Sequence, residues 1–386
     1  MKFGYFDDLK KEYVITRVAT PLPWINYLGN DNFFSLISNT AGGYTFYKDA
    51  KLRRLTRYRY NNVPKDLDGR HFYILTDDEE FSPTFLPLKT PLDKYECHHG
   101  LGYTRFISAK NDIETNLTFF VPVSENAEIA YLVIKNNSKK TKTIRVISEI
   151  EFCLYNAQDD MSNFQRNFST GEVEVENNVI YHKTEYRERR NHYTFYSSSK
   201  KISSFDTDRD TFLGKFNDYT SPTEINETHL SNKIASGWSP IAANEVSITL
   251  KPGESDSIIY ILGYVENEED KKWAAPGIIN KTKALNMIKL FNTPKKVEEA
   301  LLEVEQYWNN LLNKYSIKSN DEKFDRMVNI WNQYQCVITY RMSRSASYYE
   351  SGIGRGMGFR DSCQDLFGFV HLIPNLARER IIDIAS

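Results

Sequence analysis

Cysteine is scarce in this chain, and its scarcity excludes one class of fold. The four cysteines, Cys97, Cys153, Cys336 and Cys363, lie far apart in 386 residues, a pattern that supplies neither a disulfide framework nor a paired zinc site. They read as free thiols. No apolar stretch approaches the ~18 residues needed to span a bilayer, and residues 1–8 lack the apolar core of a secretory signal. A cytoplasmic location with no membrane partner is therefore expected, and triplets such as Asn116-Leu117-Thr118 are incidental rather than glycosylated. Charge of one sign is also missing. Lys and Arg total 49 against 51 Asp and Glu, a net charge of -2, which gives no global reason to expect nucleic acid as a partner. Internal repeats and low-complexity tracts are absent.

What is abundant is aromatic surface: 25 Tyr, 23 Phe and 5 Trp make 14% of the chain. Such rings suit strands and sugar faces alike. Up to about residue 270 the apolar residues alternate or form short β-branched and aromatic runs, which predicts a large β domain. Clear strands are expected at 115–123, at 127–135 before the turn Asn136-Asn137-Ser138, and at 141–155, where Ile144, Val146, Ile150 and Phe152 share one face. Several turn-separated strands imply a β-sandwich. The runs 245–250 and 257–265, joined by Lys251-Pro252-Gly253-Glu254, predict a hairpin.

The period then changes. Thr293 can cap a helix with Pro294 in its first turn, and Val297, Leu301, Val304, Trp308, Leu311 and Tyr315 recur at helical spacing. A second helix is predicted from Asp321 to about Tyr340, with Phe324, Met327, Val328, Trp331, Tyr334 and Ile338 as its buried stripe. Shorter helices are expected at 361–372 and 376–384. The predicted organisation is a β domain over 1–275, a helical linker over 276–318 and a helical domain from 319 that is too short to close on itself.

Several motifs carry candidate chemistry. Asp206-Thr207-Asp208-Arg209-Asp210 imitates a calcium loop but has Thr211 where that loop needs glycine. Cys97-His98-His99 groups possible ligands, yet neighbours on an extended chain point in opposite directions and a packing role in a loop is expected. No metal site is predicted. The basic, aromatic run from Lys51 to Tyr60 could line a nucleic-acid groove, but the balanced charge favours an alternating strand paired with acidic neighbours. Residues 185–190, Glu-Tyr-Arg-Glu-Arg-Arg, carry their own counter-ions. Residues 156–167 pack amides, carboxylates and a guanidinium into a polar loop suited to sugar hydroxyls. The densest feature is Ser351 to Ser362, with glycines at 352, 354, 356 and 358 among Arg355, Arg360 and Asp361. Glycine at every second position lets backbone approach a ligand closely, and the charged groups supply directional hydrogen bonds. That spacing does not spell a dinucleotide fingerprint.

The blocks TPLPWINYLGN (20–30), AGGYTFYKDAKLRRLTRYRYNNVP (41–64), EFCLYNAQDD (151–160), YHKTEYRERR (181–190), DRMVNIWNQYQC (325–336), SRSASYYESGIGRGMGFRDS (343–362) and ARERIIDIAS (377–386) carry a resemblance over the whole chain. It resembles the N-terminal half of the cellobiose phosphorylases, in the inverting disaccharide phosphorylase group of glycoside hydrolase family 94. Cys363 departs from the asparagine that relatives often carry after FRDS. The resemblance implies an N-terminal β-sandwich, a helical linker and the first helices of a truncated (α/α)6 barrel. It implies reversible phosphorolysis of cellobiose to α-glucose 1-phosphate and glucose, with inorganic phosphate as co-substrate and no other cofactor. It also implies a homodimer.

By the same resemblance Arg355 and Asp361 hold hydroxyls of the transferred glucosyl unit, and Arg344 belongs to that site near the phosphate. Tyr47, Gln165 and Arg166 line the acceptor-glucose side. The family's general acid, an aspartate, and its main phosphate ligands fall in a part of the sequence not contained here, so no catalytic residue is named and the 386 residues alone are expected to be inactive. A related disaccharide or a cellodextrin is the alternative substrate. A non-catalytic carbohydrate-binding or assembly module is the alternative from another class.

Overall fold

The computed structural model describes residues 2–59, 66–162, 169–186, 191–235, 237, 239–342, 346 and 358–386. Among these, the chain first builds two large antiparallel sheets, one of ten strands and one of nine. Their facing sides bury one core in which Phe106, Leu117, Leu132 and Tyr260 from the ten-stranded sheet meet Phe72, Val146, Phe152 and Val246 from the nine-stranded sheet. The predicted strands appear at Ile113–Phe120, Ala127–Asn136 and Lys142–Tyr155. Ile144, Val146, Ile150 and Phe152 all face this interior.

The outer faces are covered too. Phe212, Tyr219, Ile225 and Leu230, from the excursion that follows the strand Ser204–Asp208, bury Tyr73 and Ile147 on the outside of the nine-stranded sheet. The outer face of the ten-stranded sheet lies under helices α3 (Thr282–Leu290) and α4 (Pro294–Leu312), with Ile259, Ile261, Val304 and Trp308 in one cluster. Strands such as 142–155 are therefore buried on both sides, which is why their apolar residues run together as well as alternate.

The predicted hairpin is not one. Pro240–Leu250 pairs within the nine-stranded sheet, whereas Ser255–Glu266 pairs within the ten-stranded sheet. The Pro-Gly turn is present, with Gly253 at φ 78° and the Glu254 N–H donating to the Lys251 carbonyl at 3.0 Å, but it carries the chain from one sheet to the other. Strands 127–136 and 142–155 make the same crossing beside it. Asn136 ties the two arches together: its side-chain amide donates to the Lys140 and Leu250 carbonyls at 2.8 and 2.9 Å, and its carbonyl accepts from the Gly253 N–H at 2.7 Å. A tight turn looks the same in a hairpin and an arch; long-range pairing decides between them.

Thr293 caps α4 by accepting from the Lys296 N–H, and Val297, Val304, Trp308 and Leu311 are buried as expected, while Tyr315 lies beyond the helix and is exposed. The next helix starts at the Asp321 cap but is broken into α5 (Glu322–Arg326), a π-helical turn Met327–Trp331 and α6 (Asn332–Met342). The extra residue in the π turn rotates the stripe. Trp331, Tyr334 and Ile338 are buried, whereas Phe324 and Met327 are exposed. Helices α7 (Phe359–Phe367) and α8 (Pro374–Ala385) follow. A Cβ at Gly368 would come within 2.4 Å of Cys336 Sγ, so glycine there lets the end of α7 lie against α6.

Candidate functional site

The glycine-rich stretch leads into α7, and Asp361 stands in that helix's first turn, where a carboxylate favours the helix dipole. Gly358 precedes the helix. A Cβ added there would lie 3.0 Å from Asp361 Oδ2, so the glycine leaves room for the carboxyl to fold back over the helix start. Asp361 is half-buried. Arg355 and Arg344, expected beside it, lie outside the described residues, as do Gln165 and Arg166.

Met342 and Ala346, described residues that precede that stretch, line a cleft of about 650 Å³ between the sandwich and the helices. Trp24 and Tyr27 of the PWINYLGN block form one wall, and Trp331 and Tyr334 of the helical region the other. A polar seam pins the walls together. The Tyr334 hydroxyl accepts from the Gly102 N–H at 3.1 Å and donates toward Asn26 Oδ1 and the Tyr27 carbonyl at 3.0 and 2.9 Å. The Asn26 amide donates to the Gly100 and Tyr103 carbonyls. His99 also lines the cleft; burial pushes its imidazole down to about 4, so it is neutral near pH 7. Aromatic walls with a few fixed polar groups suit a hydroxyl-bearing, flat-faced ligand such as a sugar.

Tyr47 is placed elsewhere. It ends the strand Gly43–Tyr47 and stacks on Tyr264 with ring centroids 4.4 Å apart. The two rings line a groove of about 430 Å³ with Glu125, Glu266, Lys283 and Asn286. Burial raises the Glu125 carboxyl. Asp361 does not line this groove, so among the described residues the structure does not bring Tyr47 and Asp361 to one cavity.

The polar segment after strand 142–155 is partly a helix rather than a loop: Asn156 caps α1 (Ala157–Met161) through the Gln158 and Asp159 N–H groups. An ion-pair hub that the sequence reading missed holds it in place. Glu151, buried on the outer face of the 142–155 strand, pairs with Arg57 at 2.9 Å, Arg59 at 2.6 Å and Arg209 at 3.0 Å, and Arg57 extends to Asp160 of α1 at 2.9 Å. Burial alone would raise the Glu151 carboxyl, but the three guanidiniums outweigh it and hold it well below the usual carboxylate range. Arg57 and Arg59 of the basic run 51–60 are thus paired with acidic groups, although among its described residues only Arg54–Thr56 is a strand. The available signal was Glu149-x-Glu151 among the apolar residues Ile147, Ile150, Phe152 and Leu154. Two further motifs serve structure: Asp208 caps the helix α2 (Arg209–Leu213), and Cys97, His98 and His99 alternate along the strand Lys94–His99 rather than sitting in a loop; residues 187–190 of the charged 185–190 motif lie outside the described residues.

Residues 11–292 match the family model for the supersandwich domain of glycosyl hydrolase family 94, and residues 307–386 match the model for that superfamily's catalytic domain. The chain belongs to glycoside hydrolase family 94. Two N,N'-diacetylchitobiose phosphorylases, from Vibrio proteolyticus and Vibrio furnissii, are each 32% identical over 100% of this chain and 47% of their own length. A solabiose phosphorylase from Paenibacillus borealis is 26% identical over 98% of the chain and 47% of its own length. The family 94 chain thus spans about half the length of these curated relatives. A solved structure described as a kojibiose phosphorylase from the human microbiome superposes with a TM-score of 0.53 at 11% identity, covering 89% of this chain and 43% of that one, a likeness of fold.

Proposed function

We propose that a protein joining this chain to a complete family 94 catalytic domain performs reversible, inverting phosphorolysis of a disaccharide, releasing a sugar 1-phosphate. The observation that carries the reading is the 32% identity to disaccharide phosphorylases across all of the chain, through sandwich and helices alike. Phosphate is already an anionic nucleophile, so the reaction needs one carboxylic acid to protonate the glycosidic oxygen and no base to activate water. On this reading Asp361 and Arg355 hold the glycosyl unit that is transferred, with Arg344 near the phosphate and Tyr47, Gln165 and Arg166 on the acceptor side, reached across a homodimer. A carboxylate that only accepts hydrogen bonds and guanidiniums that only donate them divide sugar hydroxyls and phosphate between them. The sandwich ends near residue 275 and the barrel begins near 319.

Cellobiose is the substrate that the sequence blocks imply, and N,N'-diacetylchitobiose is the one in the names of two relatives. Incubating the protein bearing a complete catalytic domain with each sugar, with and without phosphate, separates them: cleavage of cellobiose alone supports the first, and cleavage of the acetylated sugar alone replaces it. In the same protein Arg166→Ala is expected to raise the acceptor KM in the synthetic direction at least about tenfold, the loss of one charge-assisted contact; an unchanged KM removes Arg166 from the site. The 386 residues by themselves are expected to form no sugar 1-phosphate.

A further inference from the structure

The excursion after the strand Ser204–Asp208 forms a cap, residues 209–235, on the outer face of the nine-stranded sheet. Beneath it two carboxyl groups meet. Asp206 on the strand is fully buried, and Glu224, in the 3-10 turn Thr223–Asn226 of the cap, is 5% exposed. Ser231 bridges them: its N–H donates to Glu224 Oε1 at 3.2 Å and its hydroxyl donates to Asp206 Oδ2. Glu224 Oε2 is buried without a donor. Two buried carboxyl groups held on one serine repel each other when both are ionised, and a proton on one of them relieves that repulsion.

The surrounding charged groups are engaged elsewhere. Asp208 on the same strand pairs with Lys233 of the cap at 2.6 Å. Glu245 on the strand Pro240–Leu250 takes Arg145 of the 142–155 strand at 2.8 Å and His229 of the cap at 2.9 Å. Arg209, at the start of α2, reaches Glu151 at 3.0 Å and Asp210 at 3.4 Å. Across the same sheet face His71 pairs with Glu149 and stacks on Tyr219 of the cap with centroids 4.1 Å apart.

We propose that Asp206 and Glu224, bridged by Ser231, form a proton-dependent latch that holds the 209–235 cap on the sheet, closed while one of them carries a proton and released when both are ionised. Release has a defined consequence. Arg209, Asn217 and Tyr219 of the cap and Tyr58, Arg59 and Asp68 opposite line a cavity of about 440 Å³, which widens when the cap lifts. Burial, and then the Asp206 charge, raise the Glu224 carboxyl to about 7, and burial raises Asp206 as well. A folded-state value above the ordinary carboxylate one stabilises the capped state fully below about pH 4, and that stabilisation is lost as pH rises through about 7. His71, lowered by burial but raised further by Glu149, shifts in the same direction, so the test must tell the two apart.

Hydrogen exchange of the 386-residue chain, corrected for intrinsic rates and referenced to strand 240–250 in the same sample, provides that test. In the wild type, exchange in 209–235 should be at least about tenfold faster at about pH 9 than at about pH 6. Glu224→Gln keeps the shape of the side chain and an oxygen for the Ser231 N–H without titrating, and should flatten the step; Asp206→Asn serves if that variant does not fold. Equal protection of the wild type at both pH values overturns the latch. So does a step that survives in either variant, which would assign it to His71. Restoration of protection at about pH 9 by added calcium would also overturn it, making the pair a cation site.

Discussion

The sandwich and the helices that follow it handle charge and apolar surface in opposite ways. The sandwich buries ion pairs: Arg70 and Glu128 meet with Ser35 and Thr45 in its interior, and three arginines converge on Glu151 beneath its cap. The helices beyond α4 leave large apolar side chains in water, with Phe359 at 69% and Phe367 at 82% exposure beside Ile381 and Ile382. A region that can neutralise charges deep in its interior has completed its layers; a region with exposed phenylalanines has faces still available for packing. The junction between them is specific nonetheless, because the Tyr334 hydroxyl bonds to the Asn26 side chain and the Gly102 N–H, and Trp308 packs directly against Gly102.

The comparison can be broken from the sandwich side first. Arg70→Ala strands the Glu128 carboxylate in the interior and should cost ~3–5 kcal/mol, read as a lower urea midpoint for loss of β-sheet circular dichroism. An unchanged midpoint would mean that the sandwich does not depend on its buried charge. At the junction, Gly102 has φ 79° and a Cβ there would lie 2.5 Å from Trp308 Nε1. Gly102→Ala should cost about 1–3 kcal/mol through backbone strain and loosen the helices, lowering the midpoint of Trp308 and Trp331 fluorescence more than that of the sheet signal. Equal shifts would show that the two regions unfold as one unit. Asn136→Ala, which removes the tie between the arches, should cost about 1–3 kcal/mol; a loss below the error of the urea midpoint would show that the arches hold without it. The smallest effect concerns pH. Glu151 is held low in the folded chain, so its contribution is complete above the usual carboxylate range and is lost as pH falls below about 4. Glu151→Gln should flatten that acid limb, and a limb of unchanged slope would place its origin elsewhere.

Much of the sandwich was legible because strand alternation reports directly on which face is buried: Ile144, Val146, Ile150 and Phe152 point where their spacing says they should. The Pro-Gly turn at 252–253 misled, since turn chemistry is local and the choice between hairpin and arch rests on partners more than a hundred residues away, such as Ile144 opposite Ile248. Phe324 and Met327 misled because one π turn shifts the helical stripe without a Pro or Gly to mark it. In the candidate site, Tyr47 and Asp361 could be placed, one in a groove beside Tyr264 and one at a helix start. The Glu151 hub was not read, because its three arginines come from segments that only the fold brings together.

The central claim is that the chemistry served by this chain transfers a glycosyl group to phosphate. Phosphorus NMR of the protein with a complete catalytic domain, given cellobiose or N,N'-diacetylchitobiose and inorganic phosphate, tests it most directly. A growing sugar 1-phosphate resonance that matches disaccharide consumed is the predicted result; cleavage that proceeds equally without phosphate, with no such resonance, would contradict it.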